Sequence, residues 1–545
     1  MLSKPGMWQT SSQPSPQVPN LDTAARDGEV PMTASSDEKF GTFNISKRHF
    51  LGGLAGAAAT SVLPVWRRAE AATMYDIIVI GAGTAGMPTA IFAAERGAKV
   101  LVIDKAPITG GTLDRSTGQI AGSGTVFQKA KGIVDSADAH YADNMRINNG
   151  TADPVLTRMF VDHAGDTINW LAANGYTVRD GHPVLGGGHE DFTTPRYQWG
   201  MEGGKTIYKV MEPLFTAAVK KGNVTLALST GAVDLIQDGK GAVVGVTCED
   251  DAGRKQDFMG RNVVITAGGC GANPRMFQDL HGTALTTQIA YPYNVGQSIL
   301  LGLSAGGYVR GGDLYNPLFG TVLADDNFPS EQASGFMSNP ERRPPWEIYV
   351  NSHGERFMRE DDPSVDRREH ALARQPGMRM WVVFDQEMLS KAPTSFMPRW
   401  KKEKFMDAFG SHPMFAKADS LHALGVKAGV DPQGLAASVA SFNAAIASGT
   451  TDPKGRAHRP VPLAKGPFYA VRMTGWTVIT FAGLAVDGTL RVIRSDGSPI
   501  PNLFAAGEAI GGGATSGNAY TNGAMVTPAL TFGRLLGQKM LKWKA

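Results

Sequence analysis

Apolar positions along this chain follow two rhythms. Short apolar runs at 75–80, 99–103, 224–228 and 262–266 end in glycine or polar residues and are too brief for helices, so they predict buried strands. Longer stretches at 84–96, 140–150, 154–175 and 204–221 repeat apolar residues at helical spacing; in 154–175, Phe160, Ala164, Ile168 and Leu171 fall on one face. Strands alternating with helices predict an α/β fold built on a parallel sheet. A strand at 243–249 closes a hairpin-like insert around Asp238 and Gly239. From 276 to 465 the alternation is lost and Pro, Arg, Trp and Met become more frequent, with a strand at 380–384 and a helix at 435–448. Strands at 487–493 and 502–508 then return. The last predicted helix begins near Thr527, with Pro528 placed for its first turn.

The first strand–helix–strand unit carries chemistry. Gly81, Ala82, Gly83, Thr84, Ala85 and Gly86 spell G-x-G-x-x-G between a strand and a helix, and the second strand ends on Asp104, followed by Lys105. This is a dinucleotide fingerprint in full context. Gly81 permits the turn, Gly83 lets backbone approach a pyrophosphate, and Gly86 lets helix and strand pack closely. The free N–H groups at the helix start attract phosphate. Asp104 stands where a ribose hydroxyl is held.

Composition narrows the class. With 545 residues there is room for more than one packed unit, and a net charge of +3 gives no reason to expect a nucleic-acid surface. The two cysteines, Cys248 and Cys270, form no C-x-x-C, which excludes ferredoxin-type clusters, zinc ribbons and c-type haem attachment. No metal site is expected. Residues 1–45 are polar and aperiodic, and read as a disordered leader. Residues 46–73, with Lys47, Arg48 and Phe50, a weakly apolar run to Val65 and Ala69-Glu70-Ala71, resemble a twin-arginine export signal with lysine in place of the first arginine. That resemblance implies a periplasmic or otherwise exported protein; the run is too short and glycine-rich for a stable membrane span.

Later motifs resemble the superfamily of FAD-dependent fumarate reductases and 3-ketosteroid Δ1-dehydrogenases, over roughly residues 74 to 545. The loop at 109–118 carries Gly110, Gly111, Thr112, Ser116 and Gly118. Gly231-Ala232-Val233 resembles the backbone that meets the adenine, and Ala267-Gly268-Gly269 the turn back to the cofactor. Gly507-Glu508 resembles the flavin strand whose acid bonds the ribityl chain, and Pro528-Ala529-Leu530 the closing helix. Val350, Asn351, Gly354, Arg356, Phe357 and Glu360 match a V-N-x-x-G-x-R-F-x-x-E hairpin that the family places beside its active site. The resemblance implies FAD, a Rossmann-type, glutathione reductase-like FAD-binding domain in two pieces, 74–275 and 466–545, and an inserted α+β cap, 276–465.

Within the superfamily, three cationic positions that hold dicarboxylates are replaced. Tyr315-Asn316-Pro317 stands for H-P-T, Val478-Ile479-Thr480-Phe481-Ala482-Gly483 for H-x-T-x-G-G, and Ala514-Thr515-Ser516-Gly517-Asn518-Ala519 for G-x-N-R-x-G. Two carboxylates without cationic partners in a dry site are costly. Tyr520, with Pro528 to Gly533 beyond it, is closer to the ketosteroid dehydrogenase pattern. That branch implies that the Tyr520 hydroxyl and the Gly523 N–H bond a ketone oxygen. Its base, a tyrosine after the hairpin, is replaced by Pro363-Ser364. Arg367, Arg368, Tyr197, Tyr291 and Tyr293 are the candidates for proton transfer; the polar, glycine-rich loop at 181–200 is long enough to be a binding loop, though His182 and His189 each read as a surface residue rather than a ligand. The expected function is an FAD-dependent dehydrogenase of a cyclic or apolar ketone, acting on a CH–CH bond next to the carbonyl. The alternatives are a reductase of an α,β-unsaturated carboxylate using Arg367 or Arg368 as acid, and a flavin-binding electron carrier. The absence of a second fingerprint points to an external electron partner, a quinone, oxygen or a carrier protein.

Overall fold

The computed structural model describes residues 73–337 and 339–542; the 1–45 leader and the export-type segment up to residue 72 lie outside the described residues. Strands form in the order Arg491–Ile493, Pro499–Ala505, Val263–Ile265, Ile77–Ile80, Val100–Ile103, Val224–Ala227 across a six-stranded sheet, parallel except for the Arg491–Ile493 edge. Ile77–Ile80, Val100–Ile103 and Val263–Ile265 are buried at every position, as strands covered on both faces must be. Each such side chain contributes about 2 kcal/mol of burial. Helices Gly86–Glu95, Gly204–Lys220 and Val526–Leu535 pack together along one face. A four-stranded sheet, ordered Met74–Tyr75, Lys255–Gly260, Val243–Asp250, Thr230–Gln237, packs on the other. The run predicted at 75–80 is thus split at Asp76 between two sheets.

A second six-stranded sheet is antiparallel throughout. Its strands are Gln332–Gly335, Leu318–Leu323, Phe468–Trp476, Arg379–Asp385 and Ile348–Val350, with Phe415–Ala418 also pairing with Phe468–Trp476. Its core is aromatic, with Phe384, Phe396, Phe405, Phe409, Phe415 and Tyr469 in edge or stacked contact. Phe468–Trp476 was expected to open the returning segment 466–545. It is instead the central strand of this sheet, because all its partners lie between 318 and 418, so the inserted segment runs on to Trp476. Among the described residues no helix is long and apolar enough to cross a membrane.

Candidate active site

A cavity of about 720 Å³ lies along the C-terminal ends of the parallel strands and reaches the antiparallel sheet at Leu318 and Trp476. Gly81, Gly83, Thr84, Ala85, Asp104, Lys105, Gly111, Thr112, Ser116, Ala232, Val233, Ala267, Gly268, Gly507, Glu508 and Ala529 line it, as do Tyr520 and Gly523. Gly86, Gly110, Gly118 and Leu530 do not. A Cβ on Gly86 would lie 1.8 Å from the Gly81 carbonyl oxygen, so this glycine serves the strand–helix contact. Gly110 backs onto the Tyr208 ring and Gly118 onto Gly203, which shape the loop rather than face the cavity. Leu530 points into the core, and Pro528 lines a small cavity of about 50 Å³ shared with Gly507 and Met525.

Gly81 sits at φ +108°, and a Cβ there would meet the Thr266 carbonyl oxygen at 2.5 Å. Thr125, Ser136, Asp153, Asn273, Ser364, Asp385, Ser420 and Asp431 each cap a helix through their side chains. Helices Gly86–Glu95 and Val526–Leu535, whose starts adjoin the cavity, have no side-chain cap. In both, the second helical N–H donates to backbone, Met87 to the Gly83 carbonyl and Thr527 to the Gly523 carbonyl, and the third position is proline, so the positive dipole end is what each start offers an anionic or polar ligand.

Two carboxylates stand on this wall. Asp104 Oδ2 accepts from the Ala82 N–H at 2.7 Å and Oδ1 from the Ala106 N–H at 2.8 Å, so the acid also braces the glycine turn. Burial raises its pKa, opposed by those two N–H groups. Glu508 Oε1 accepts from the Thr480 N–H at 2.9 Å and its hydroxyl at 3.1 Å, and Oε2 from Asn294 Nδ2 at 2.9 Å. Burial raises its pKa too. Thr480 and Asn294 were not singled out from the sequence; Thr480 sits inside a quoted motif, but Asn294 gives no local signal.

The opposite end is aromatic. Tyr520 is 8% exposed, its hydroxyl 3.4 Å from Thr477 Oγ1. Its ring stacks on His189, with centroids 5.3 Å apart and planes 21° from parallel. His189 is therefore a cavity residue and not the surface histidine expected; its Nδ1 lies 3.7 Å from Glu369 Oε1. Burial pushes His189 down to about 4 and Glu369 well above the usual carboxylate range. Tyr197 lines the same cavity, and Tyr291 and Tyr293 line it too, Tyr291 on the Asp104 side. Buried Thr521 Oγ1 and Asn522 Oδ1, on the cavity wall, have no hydrogen-bond partner.

Neither arginine proposed as an acid reaches this space. Arg367 is exposed and paired with Asp362 at 2.6 Å, because successive residues of helix Val365–Ala373 point about 100° apart. Arg368 is buried, its guanidinium 5.2 Å from the Phe319 ring centroid, and does not line the cavity. The hairpin with Arg356 and Glu360 was expected beside the active site; neither side chain lines the cavity, and both lie in an internal ion-pair network.

The family described as FAD binding domain matches residues 76–523. The chain belongs to this family. It is 28% identical over 86% of its length to a fumarate reductase (cytochrome) of Shewanella frigidimarina, covering 77% of that protein, and 28% identical over 82% of its length to a vinyl phenol reductase of Lactiplantibacillus plantarum, covering 91%. A 3-oxosteroid 1-dehydrogenase of Mycobacterium tuberculosis is 24% identical over 85% of the chain and 97% of its own. The open conformation of a flavocytochrome c3 fumarate reductase superposes with a TM-score of 0.63 at 25% identity, over 86% of this chain and 78% of that one. The FAD binding domain of this chain is α/β, and the protein is an FAD-dependent oxidoreductase acting on a CH–CH bond of an unsaturated-carbonyl type of substrate. The residues present fit that cofactor: paired glycines, two uncapped helix starts and a buried acid surround one elongated cavity. FAD, when bound, supplies or takes the hydride.

Proposed function

We propose that this enzyme reduces a carbon–carbon double bond conjugated to a carbonyl, on a substrate whose body is apolar and uncharged. The observation that carries this reading is the Tyr520 end of the cavity. Lys105 and Arg115 are the only Lys or Arg side chains lining the cavity among the described residues. Lys105 pairs with Asp251, and Arg115 Nη1 reaches the Ala290 carbonyl. Leu318, Trp476, Val478 and Ile479 surround the remainder. A dicarboxylate would bring charges with no cation to meet them, whereas a ketone oxygen finds the Tyr520 hydroxyl and the Gly523 N–H. Those two donors stabilise negative charge building on that oxygen.

The similar proteins at 28% identity are reductases by name, and the 3-oxosteroid 1-dehydrogenase stands at 24%, which favours reduction over the desaturation expected from the C-terminal motif. In this reading Gly83, Thr84, Gly111 and Thr112 take the pyrophosphate, Asp104 the ribose, Ala232 and Val233 the adenine, and Glu508 and Ala529 the flavin half. The Rossmann-type unit holds the cofactor and the segment from 276 to Trp476 acts as a cap. Electrons come from an external donor, and the resemblance of residues 46–73 to an export signal supports a location outside the cytoplasm.

The test is anaerobic. The holoenzyme is photoreduced, then mixed with a cyclic enone or with fumarate, and flavin absorbance is followed. Reoxidation by the enone and not by fumarate is the expected result; reoxidation by fumarate alone overturns the substrate class, and by neither favours an electron carrier.

A further inference from the structure

Reducing a conjugated double bond needs one proton at the α-carbon for each hydride at the β-carbon, and Arg367 and Arg368 are not placed to give it. We propose that His189 is the proton donor to the substrate and that Glu369 refills it. The inference rests on the reductase reading for its substrate and on geometry for its residues.

The two side chains come from distant segments. His189 follows three glycines, Gly186 to Gly188, in an irregular loop; Glu369 lies on helix Val365–Ala373, buried among Val365, Arg368 and Leu372. One contact ties the segments together. Glu190, next to His189, accepts through Oε1 from the hydroxyl of Ser364, the residue that caps Glu369's helix, and its carbonyl accepts from Asn522 Nδ2 at 2.7 Å. Asn522 is two residues from Tyr520, so the same anchor sets His189 against the carbonyl-binding tyrosine. The His189 side chain keeps 25% of its surface exposed while lining the cavity, and Glu369 keeps 1%.

With Nδ1 turned to Glu369, Nε2 is the ring nitrogen left for the substrate. The groups facing the pair are Asp366, Glu190 and Arg368 on the charged side, and Tyr520, Tyr315 and Asn316 on the neutral side; Asn316 Nδ2 donates to Glu369 Oε2 at 3.3 Å. Glu369 is 1% exposed, its Oε1 faces His189 Nδ1, and burial raises the Glu369 pKa and lowers that of His189, so both are biased toward their neutral forms. The step balances. FAD, when bound, would supply the hydride to the β-carbon; Tyr520 would hold the oxygen while the π pair moves to the α-carbon. The α-carbon then takes the Nε2 proton, and Nδ1 takes the Glu369 proton. The imidazole ends neutral in its other tautomer, Glu369 ends as a carboxylate, and solvent restores both. The 3.7 Å gap needs a closure of about 1 Å, or one bridging water, for that second transfer.

Two measurements decide it. In deuterium oxide with a prochiral enone, the wild-type holoenzyme should place solvent deuterium on one face of the α-carbon. His189→Gln should slow enone-driven flavin reoxidation by about 10²-fold or more and lose that facial preference, with FAD content and binding of a saturated ketone unchanged. Glu369→Gln should slow the reaction while keeping the preference. Full rate and intact selectivity in His189→Gln overturn the proposal. Nitrogen-15 NMR of the resting holoenzyme, labelled at histidine, needs no substrate: a neutral His189 protonated on Nε2 at neutral pH is expected. An imidazolium or an Nδ1–H tautomer overturns the proposal even if no enone proves to be a substrate, whereas failure of every enone with the expected tautomer present overturns only the substrate class.

Discussion

Arg356 and Glu360 close a bidentate ion pair in the interior, Nη2 2.6 Å from Oε2 and Nε 2.7 Å from Oε1. Arg356 Nη1 also reaches Asp452 Oδ2 at 2.8 Å, joining the hairpin to the chain beyond helix Pro432–Ala447. All three side chains are at most 5% exposed. The hairpin motif therefore holds the antiparallel sheet to its helices. Removing this cation leaves Asp452 with backbone donors only and Glu360 with Arg456, 3.7 Å away, as its remaining cation, both carboxylates still buried. Arg356→Met is expected to lower unfolding stability by about 3–5 kcal/mol in a denaturant titration, with FAD content of the folded fraction unchanged; a loss below about 1 kcal/mol would contradict the role.

The fingerprint glycines separate by what a methyl group would meet. At Gly83 the nearest atom to a Cβ is Gly111 Cα at 3.8 Å, an ordinary contact. Gly83→Ala is expected to fold normally and weaken FAD binding at least about tenfold, since the methyl enters the space that the pyrophosphate needs. Gly86→Ala drives a Cβ to 1.8 Å from a backbone oxygen and should lower the yield of folded protein itself. Melting temperature and FAD stoichiometry, measured on both, tell the two effects apart.

Tyr520→Phe removes one of two donors to the carbonyl and leaves the stacked ring in place. Turnover should fall by about 10²-fold with FAD content unchanged. Loss of the cofactor instead would make Tyr520 a packing residue of the flavin wall.

His140 gives the pH dependence of stability. It is fully buried between Phe160 and Phe192, both ring nitrogens lack a hydrogen-bond partner, and burial pushes its pKa from 6.5 down to about 3, Arg196 adding to the effect. Between those values the unfolded chain binds the proton and the folded chain does not. Stability is therefore complete above 6.5 and declines as pH falls, by ~2 kcal/mol at about pH 5. His140→Gln should flatten that limb of the curve; an unchanged slope would assign it to other groups.

What the sequence revealed followed the reach of each signal. The glycine fingerprint, Asp104, the buried strands and Tyr520 were legible because backbone conformation and apolar runs are written locally. Phe468–Trp476 reads only as the start of the returning segment, because the sheet it joins depends on partners up to 158 residues away. Arg367 and Arg368 looked equivalent; one helical step puts the first in water and the second inside. Val365, Arg368, Glu369 and Leu372 share the buried face of that helix, so the spacing held a signal for Glu369 that the charges obscured. The length of the 181–200 loop hinted at binding, but not which side chain faces the cavity, since the position of His189 comes from a loop pinned to two distant segments.

The cavity wall is written at both extremes of the fold, from Gly81 to Ala529. One wall comes from a single strand–helix–strand unit; the other is held by Glu508 against Thr480 and by helix Val526–Leu535 packed on Gly86–Glu95. Whatever fills this cavity touches residues from both ends of the sequence, so a bound ligand spans the join between them and adds its binding free energy to the contacts that hold the two ends together.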